Sequence, residues 1–122
     1  MILFNQMVKY NNYNDLDEIF SSLSDPTRRD ILLRISMHDC LTVNEIAKPY
    51  LENMSLPAVS KHLKVLEKSN LISREKNGRS YSFKSDPKQL LKIEQYISFF
   101  RKFWNSQLDS LEEYLSKGVK QK

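Results

Sequence analysis

Apolar residues recur first with helical and then with strand spacing along this chain, and proline, asparagine or glycine marks the points where the spacing changes. Leu16, Ile19, Phe20 and Leu23 fall at i, i+3, i+4 and i+7, one face of an amphipathic helix beginning near Asn14. Asp25 followed by Pro26 reads as N-cap and first helical position, because the carboxylate accepts from free amides and proline has no N–H to leave unpaired there. Ile31, Leu32 and Ile35 then hold helical spacing and predict a helix over 26–37. Thr42-Val43-Asn44-Glu45 has the form of a capping box and opens a short helix through Ala47 that Pro49 ends. Ser55 with Pro57 opens the next helix, over 55–69.

Over 71–84 the period shortens to two. Ile72-Ser73-Arg74-Glu75-Lys76 and Arg79-Ser80-Tyr81-Ser82-Phe83 alternate around Asn77-Gly78, a dipeptide that supplies the positive φ angles of a type I′ turn, so a two-stranded β-hairpin is expected. Ser85 or Asp86 with Pro87 opens a last helix over 87–116. Its apolar residues Leu90, Ile93, Ile97, Phe100, Trp104, Leu108, Leu111 and Leu115 step by 3, 4, 3, 4, 4, 3, 4, and Phe99 and Phe103 widen the stripe. One small domain cannot cover a helix of that length, which points to a homodimer sealed by Ile97, Phe100, Phe103, Trp104, Leu108, Leu111 and Leu115, joined by Leu16 and Phe20.

Three helices followed by a hairpin form the winged helix-turn-helix arrangement, in which the third helix of the motif enters the DNA major groove. The fold class expected is therefore mainly α with an α+β wing. Residues 1–13 are expected to be a flexible N-terminus. Residues 14–122 are read as one domain, with the helix-turn-helix over 42–69, the wing over 71–84 and the dimerisation helix over 87–116.

Charge sharpens this picture. Residues 1–54 carry five Lys or Arg against eight Asp or Glu, residues 55–84 seven against two, and residues 85–122 seven against five. The basic excess thus lies on the candidate reading helix and hairpin, where a nucleic-acid footprint belongs, although a solvated lysine face produces the same count. On the helical wheel Val59, Leu63 and Leu66 face the core, while Pro57, Ser60, Lys61, Lys64 and Lys68 lie opposite. Small polar groups near the start of a helix allow close approach to base edges, and lysines further along neutralise phosphate. Candidate DNA contacts are Ser55, Leu56, Pro57, Ser60, Lys61 and Lys64 on the helix and Arg74, Lys76 and Arg79 around the hairpin tip. His62 falls nearer the core side and is expected to pack rather than to read bases.

Composition narrows the alternatives. With 122 residues, 40% hydrophobic and 28% charged, the chain is one ordinary globular domain. The longest stretches free of charge, residues 1–8 and 53–60, are eight long, far short of the ~20 apolar residues that cross a bilayer. No basic n-region or small-residue cleavage site suggests a secretory signal, and the lone Cys40 fits a reducing compartment, so a cytoplasmic location is expected. Two glycines are too few for a glycine-rich phosphate loop. No Ser-His-Asp set and no carboxylate pair in a setting that would raise a pKa can be assembled, so no enzyme is expected.

The stretches Phe20-Ser21-Ser22-Leu23-Ser24-Asp25-Pro26-Thr27-Arg28-Arg29-Asp30-Ile31-Leu32, Leu41-Thr42-Val43-Asn44-Glu45-Ile46-Ala47 and Met54-Ser55-Leu56-Pro57-Ala58-Val59-Ser60-Lys61-His62-Leu63-Lys64-Val65-Leu66-Glu67, with Gly78-Arg79-Ser80-Tyr81, resemble the ArsR-type winged-helix repressors over residues 14–116. The resemblance implies a cytoplasmic homodimer, with first and last helices at the interface, that binds a near-palindromic operator and represses transcription. Many relatives have a glutamine where this chain has Leu56, which removes a bidentate adenine reader and leaves at most a contact to a thymine methyl. The connection over 49–54 is also about two residues longer than is usual for the family. Metal-sensing members carry Cys-x-Cys at the positions of Thr42 and Asn44, and others use His and carboxylates on the last helix, which here has no histidine. Neither a metal nor a cofactor is therefore expected, and no effector can be named. The rival reading is a winged-helix module for protein–protein contact that has lost DNA, supported by Leu56 and Pro57 on the reading face.

Overall fold

The structure, a computed structural model, describes residues 13–120, so the expected flexible N-terminus lies outside the described residues except for Tyr13. Tyr13 opens the first helix, α1 (Tyr13–Ser22), which is followed by α2 (Pro26–Ser36), β1 (Leu41–Thr42), α3 (Val43–Ala47), a 3-10 turn (Lys48–Tyr50), α4 (Leu56–Lys68), β2 (Ile72–Asn77), β3 (Ser80–Ser85) and α5 (Pro87–Lys120). The chain forms two units, one ending at Leu90 and one beginning at Leu91.

The helix starts follow the capping chemistry read from the sequence. Asp25 accepts from the Thr27 and Arg28 amides at 2.7 and 3.2 Å with Pro26 in the first turn. Thr42 Oγ1 accepts from the Glu45 amide at 3.2 Å while Glu45 Oε1 accepts from the Thr42 amide at 3.0 Å, closing the capping box. Ser55 Oγ accepts from the Ala58 amide at the head of α4, and Asp86 Oδ1 accepts from the Lys88 amide at the head of α5. The core of the first unit contains Ile19, Ile31, Ile35, Ile46, Val59, Leu63, Leu66, Leu71, Ile72 and Phe83, all essentially inaccessible.

The far end of α4 is closed by backbone geometry. Asn70 sits at φ 61° in the left-handed region. Its amide donates to the Glu67 carbonyl at 3.0 Å and the Leu71 amide reaches back to the Leu66 carbonyl at 3.1 Å, the paired bonds of a Schellman ending. Leu71 and Leu66 are both buried at this corner. Buried Gln89 then donates from Nε2 to the Ser69 carbonyl at 2.8 Å, and the Asp86 amide donates to the Leu71 carbonyl at 3.0 Å. The end of α4, the base of the hairpin and the start of α5 are thus tied at one point.

Two features differ from the sequence expectation. The sheet has three antiparallel strands, not two, in the order β1-β3-β2, because Leu41 and Thr42 pair with Phe83 and Ser82. A two-residue strand is too short to show alternation. The hairpin turn is also shifted by one residue: Asn77 pairs with Ser80, so Gly78 and Arg79 are the central residues. Only Gly78 of this turn has a positive φ, 65°, the pattern of a type II′ turn rather than type I′. Asn77 instead stays in the strand and donates from Nδ2 to Ser82 Oγ at 3.1 Å.

The last helix is 34 residues long, about 51 Å at 1.5 Å per residue. From Arg101 to Gly118 every residue is exposed. Within it Tyr96 and Phe100 meet edge to face at 5.0 Å, and Phe99 lies 6.2 Å from Phe103.

Two predictions test these closures. Asn70→Ala should cost about 1 kcal/mol, since alanine is strained at positive φ, while Asn70→Gly should match or exceed the wild type in urea unfolding. The caps also contribute to the acid limb of stability. Burial pushes the Asp25 carboxyl up, but the amides of Arg28 and Thr27, with attraction from His62 and Arg28, outweigh it and hold the group below its ordinary value. The Thr42 amide and hydroxyl hold Glu45 below its own. Because both folded-state values are lowered, the unfolded chain binds more protons in acid. The stabilisation is full above the ordinary carboxylate range and drains as pH falls through the folded values. Asp25→Asn should therefore flatten the loss of stability below about pH 4 in urea titrations run across pH.

Candidate nucleic-acid interface

The surface of α4 is set by what its other side buries. Val59, Leu63 and Leu66 are inside the core, leaving Ser55, Leu56, Pro57, Lys61, Lys64 and Lys68 exposed and Ser60 half-buried on the opposite side. Among the described residues neither Lys61 nor Lys64 has an ion-pair partner, so both ammonium groups face solvent uncompensated. At the hairpin, Arg79 occupies the apex of the turn and Lys76 stands just before it, both exposed.

Arg74 is placed differently from its neighbours. Its Nε and Nη2 donate to the two carboxylate oxygens of Glu67 on α4 at 2.7 and 2.8 Å, a bidentate pair. Its guanidinium lies 5.2 Å from the Tyr81 ring centre and 5.7 Å from that of Phe83. The strand register explains this, since Arg74 pairs with Phe83 and Lys76 with Tyr81, on one face of the hairpin. On the other face Lys84 Nζ reaches Glu75 Oε2 at 3.0 Å. Arg74 thus braces the hairpin against α4. A partner on a different element, as Glu67 is, leaves no local signal in the chain.

Behind the reading helix stands a second group that the sequence pattern did not assign. Arg28 Nε donates to the Ser22 carbonyl at 2.6 Å, Nη2 to the Ser21 carbonyl at 3.5 Å, and Nη1 lies 3.2 Å from His62 Nδ1 on α4. Arg29 Nη1 donates to the Leu23 carbonyl at 2.8 Å. Two arginines in the first turn of a helix oppose its dipole, and that misfit is the signal that they serve a neighbour, here the carbonyl end of α1. Half-buried His62 packs inward with Arg28, as its wheel position predicts. Arg34 does for α3 what Arg28 does for α1, donating to the carbonyls of Ile46 and Glu45 at 2.7 and 2.9 Å and lying over the Tyr50 ring. Tyr50 donates its hydroxyl to Asp30, and partial burial followed by that bond raises its pKa. Together with the Asn53 amide bond to the Tyr50 carbonyl, this orders the long connection over 49–54.

The family assignment follows from comparison with known proteins. A helix-turn-helix domain model matches residues 23–75. The transcriptional repressor SdpR of Bacillus subtilis is 36% identical over 64 residues, 52% of this chain and 68% of that protein. The HTH-type transcriptional regulator Rv2034 of Mycobacterium tuberculosis is 33% identical over 96 residues, covering 79% of this chain and 84% of its own length. A crystal structure of the ArsR family transcriptional regulator RHA00566 superposes with a TM-score of 0.68 at 35% identity, over 76% of this chain and 93% of that one. The chain belongs to the ArsR family. As an ArsR-family chain it is a DNA-binding transcriptional regulator of winged helix-turn-helix fold.

In this ArsR-family chain the Thr42 side chain is occupied as the cap of α3. Among the described residues no three of His, Cys, Asp and Glu gather into a metal site. Cys40 is exposed. No described helix is long and apolar enough to cross a membrane. Of the residues expected at a subunit interface, Ile97, Phe100, Phe103, Trp104, Leu108, Leu111, Leu115 and Phe20 are exposed, whereas Leu16 is already buried within the chain.

Arg28 provides the test of the scaffold behind α4. Arg28→Met removes the donor to two carbonyls and the partner of His62, and should lower stability by about 1–3 kcal/mol in urea unfolding. A loss below about 0.5 kcal/mol, the level of an ordinary surface change, would show that the arginine does not brace these elements.

Proposed function

We propose that the protein is a cytoplasmic homodimeric repressor that lays α4 in the major groove of each half of a palindromic operator and sets its hairpin tip on the flanking backbone or minor groove. The observation that carries this reading is the pair of exposed lysines, Lys61 and Lys64, with no carboxylate partner among the described residues, on the solvent side of a helix whose other side is locked in the core. In this reading Ser60 and Lys61, within the first two turns, approach base edges, while Lys64 and Arg79 meet phosphate or the minor groove. Lys76 supports the tip, and Arg74 contributes by holding the hairpin on α4 through Glu67. The partner subunit is taken up by the apolar stripe of α5, of which Trp104, 54% exposed, and Phe103, 57% exposed, are the anchors. Autorepression, binding to the chain's own upstream region, is the simplest mode for a family member with no metal cluster among its described residues.

The rival reading, a protein-interaction module that no longer binds DNA, draws on the exposed Leu56 and Pro57. Mutation separates the two. Lys61→Ala should cost about 1–3 kcal/mol on the operator and relax preference at one position of each half-site. Lys64→Ala and Arg79→Ala should weaken all sequences alike, lowering the salt slope by about one unit for each phosphate that goes unneutralised in each subunit. Arg74→Ala should change the salt slope less than Arg79→Ala, because Glu67 already neutralises Arg74. Footprinting and salt titration read these effects, and unchanged affinity for Lys61→Ala, Lys64→Ala and Arg79→Ala would favour the interaction module. Sedimentation should find a dimer at micromolar concentration that Trp104→Ala with Leu108→Ala dissociates or unfolds, and a stable wild-type monomer would sink the interface. Added zinc should leave operator affinity unchanged. A tenfold, EDTA-reversible weakening, about 1.4 kcal/mol of coupling, would overturn the metal-independent reading.

A further inference from the structure

The leading end of α4 offers few free donors. The amides of a helix's first turn can bind an anion where no cap takes them. Here the second helical position is Pro57, which has no N–H. The Ala58 amide is taken by Ser55 Oγ at 3.3 Å and the Val59 amide by the Ser55 carbonyl at 3.1 Å. The Leu56 amide is the one donor of that turn with no partner inside the chain among the described residues. Around it the side chains are apolar: Leu56, at the first helical position, is 43% exposed, and Pro57 beside it is exposed too. The lysines begin only at Lys61, one turn further on.

A surface poor in donors, rich in methyl and methylene groups and followed by cations suits one feature of the major groove. The thymine C5-methyl is the only apolar group that a base pair presents there. On the reading that α4 enters the major groove, we propose that Leu56, backed by Pro57, is a specificity-determining residue that selects thymine in each half-site by packing on its 5-methyl group. It adds no hydrogen bond, so its discrimination comes from burying one methyl rather than from donor and acceptor matching. Lys61 and Lys64 hold the helix down while Leu56 senses whether the methyl is there.

Deoxyuridine provides the test, because it keeps every hydrogen-bonding group of thymine and lacks only the methyl. Duplexes are first selected by the full-length protein from a random-sequence pool. Each thymine of the selected half-site is then replaced in turn by deoxyuridine, and affinities are measured for the wild type and Leu56→Ala. One thymine per half-site should weaken the wild type about 4-fold when replaced, and about 15-fold when both half-sites are changed, as expected for one buried methyl each. Leu56→Ala should show no such loss. Each comparison is made within one variant, so a general change in its stability cancels. Leu56→Gln should exchange thymine for adenine at the same position. If no thymine is sensitive, or if Leu56→Ala loses as much as the wild type, the assignment is overturned while operator binding stands. If the wild type selects no duplex at all, the DNA-binding reading falls and this assignment with it.

Discussion

The apolar side of α4 has only one place to go. Val59, Leu63 and Leu66 are held at the centre of the first unit, among Ile31, Ile35 and Ile46, and any rotation of the helix would expose them. At about 1.5–3 kcal/mol for each such side chain, that burial resists rotation far more strongly than any surface ion pair could. The orientation of Ser60, Lys61 and Lys64 is therefore decided by residues that never touch DNA. Both ends of the helix are closed locally, by the Ser55 cap at the start and the left-handed Asn70 at the finish, which fixes where it begins and stops.

Arginine does two kinds of work in this fold. Arg28, Arg29 and Arg34 are occupied by carbonyl groups at helix ends, where a planar cation with several donors can satisfy two oxygens at once. Arg74 is held by a carboxylate. Of the arginines in the first unit, Arg79 alone is left at an apex facing solvent. A count of basic residues consequently overstates the cations left free to face a polyanion.

Much of the fold was legible because its signals are local. The Asp25-Pro26 start, the Thr42 to Glu45 box and the Ser55 cap each need only three or four consecutive residues, and each helix begins where they indicate. The solvent side of α4 was legible for the same reason, as a period of 3.6 on a capped segment. What stayed hidden depends on chain segments meeting in space. β1 has two residues and no alternation, so its partner Phe83 could not be foreseen. The turn at Gly78 moved by one residue because Asn77 found a side-chain partner in Ser82 across the strands. Arg74 looked like a tip cation until the register set it opposite Phe83 and beside Glu67. Gln89 reads as one more polar residue of an amphipathic helix, yet it is buried because the Ser69 carbonyl needs a donor.

The strand order has its own consequence. With β3 in the middle, β2 presents an outer edge that has no partner strand among the described residues. An open edge of six residues is a template on which a second chain could nucleate edge-to-edge aggregation. Here the edge reads Ile72-Ser73-Arg74-Glu75-Lys76-Asn77, three charges of alternating sign in its middle and its one strongly apolar residue turned into the core. An incoming β-strand would have to desolvate those charges to pair, so the hairpin can project into solvent without becoming adhesive.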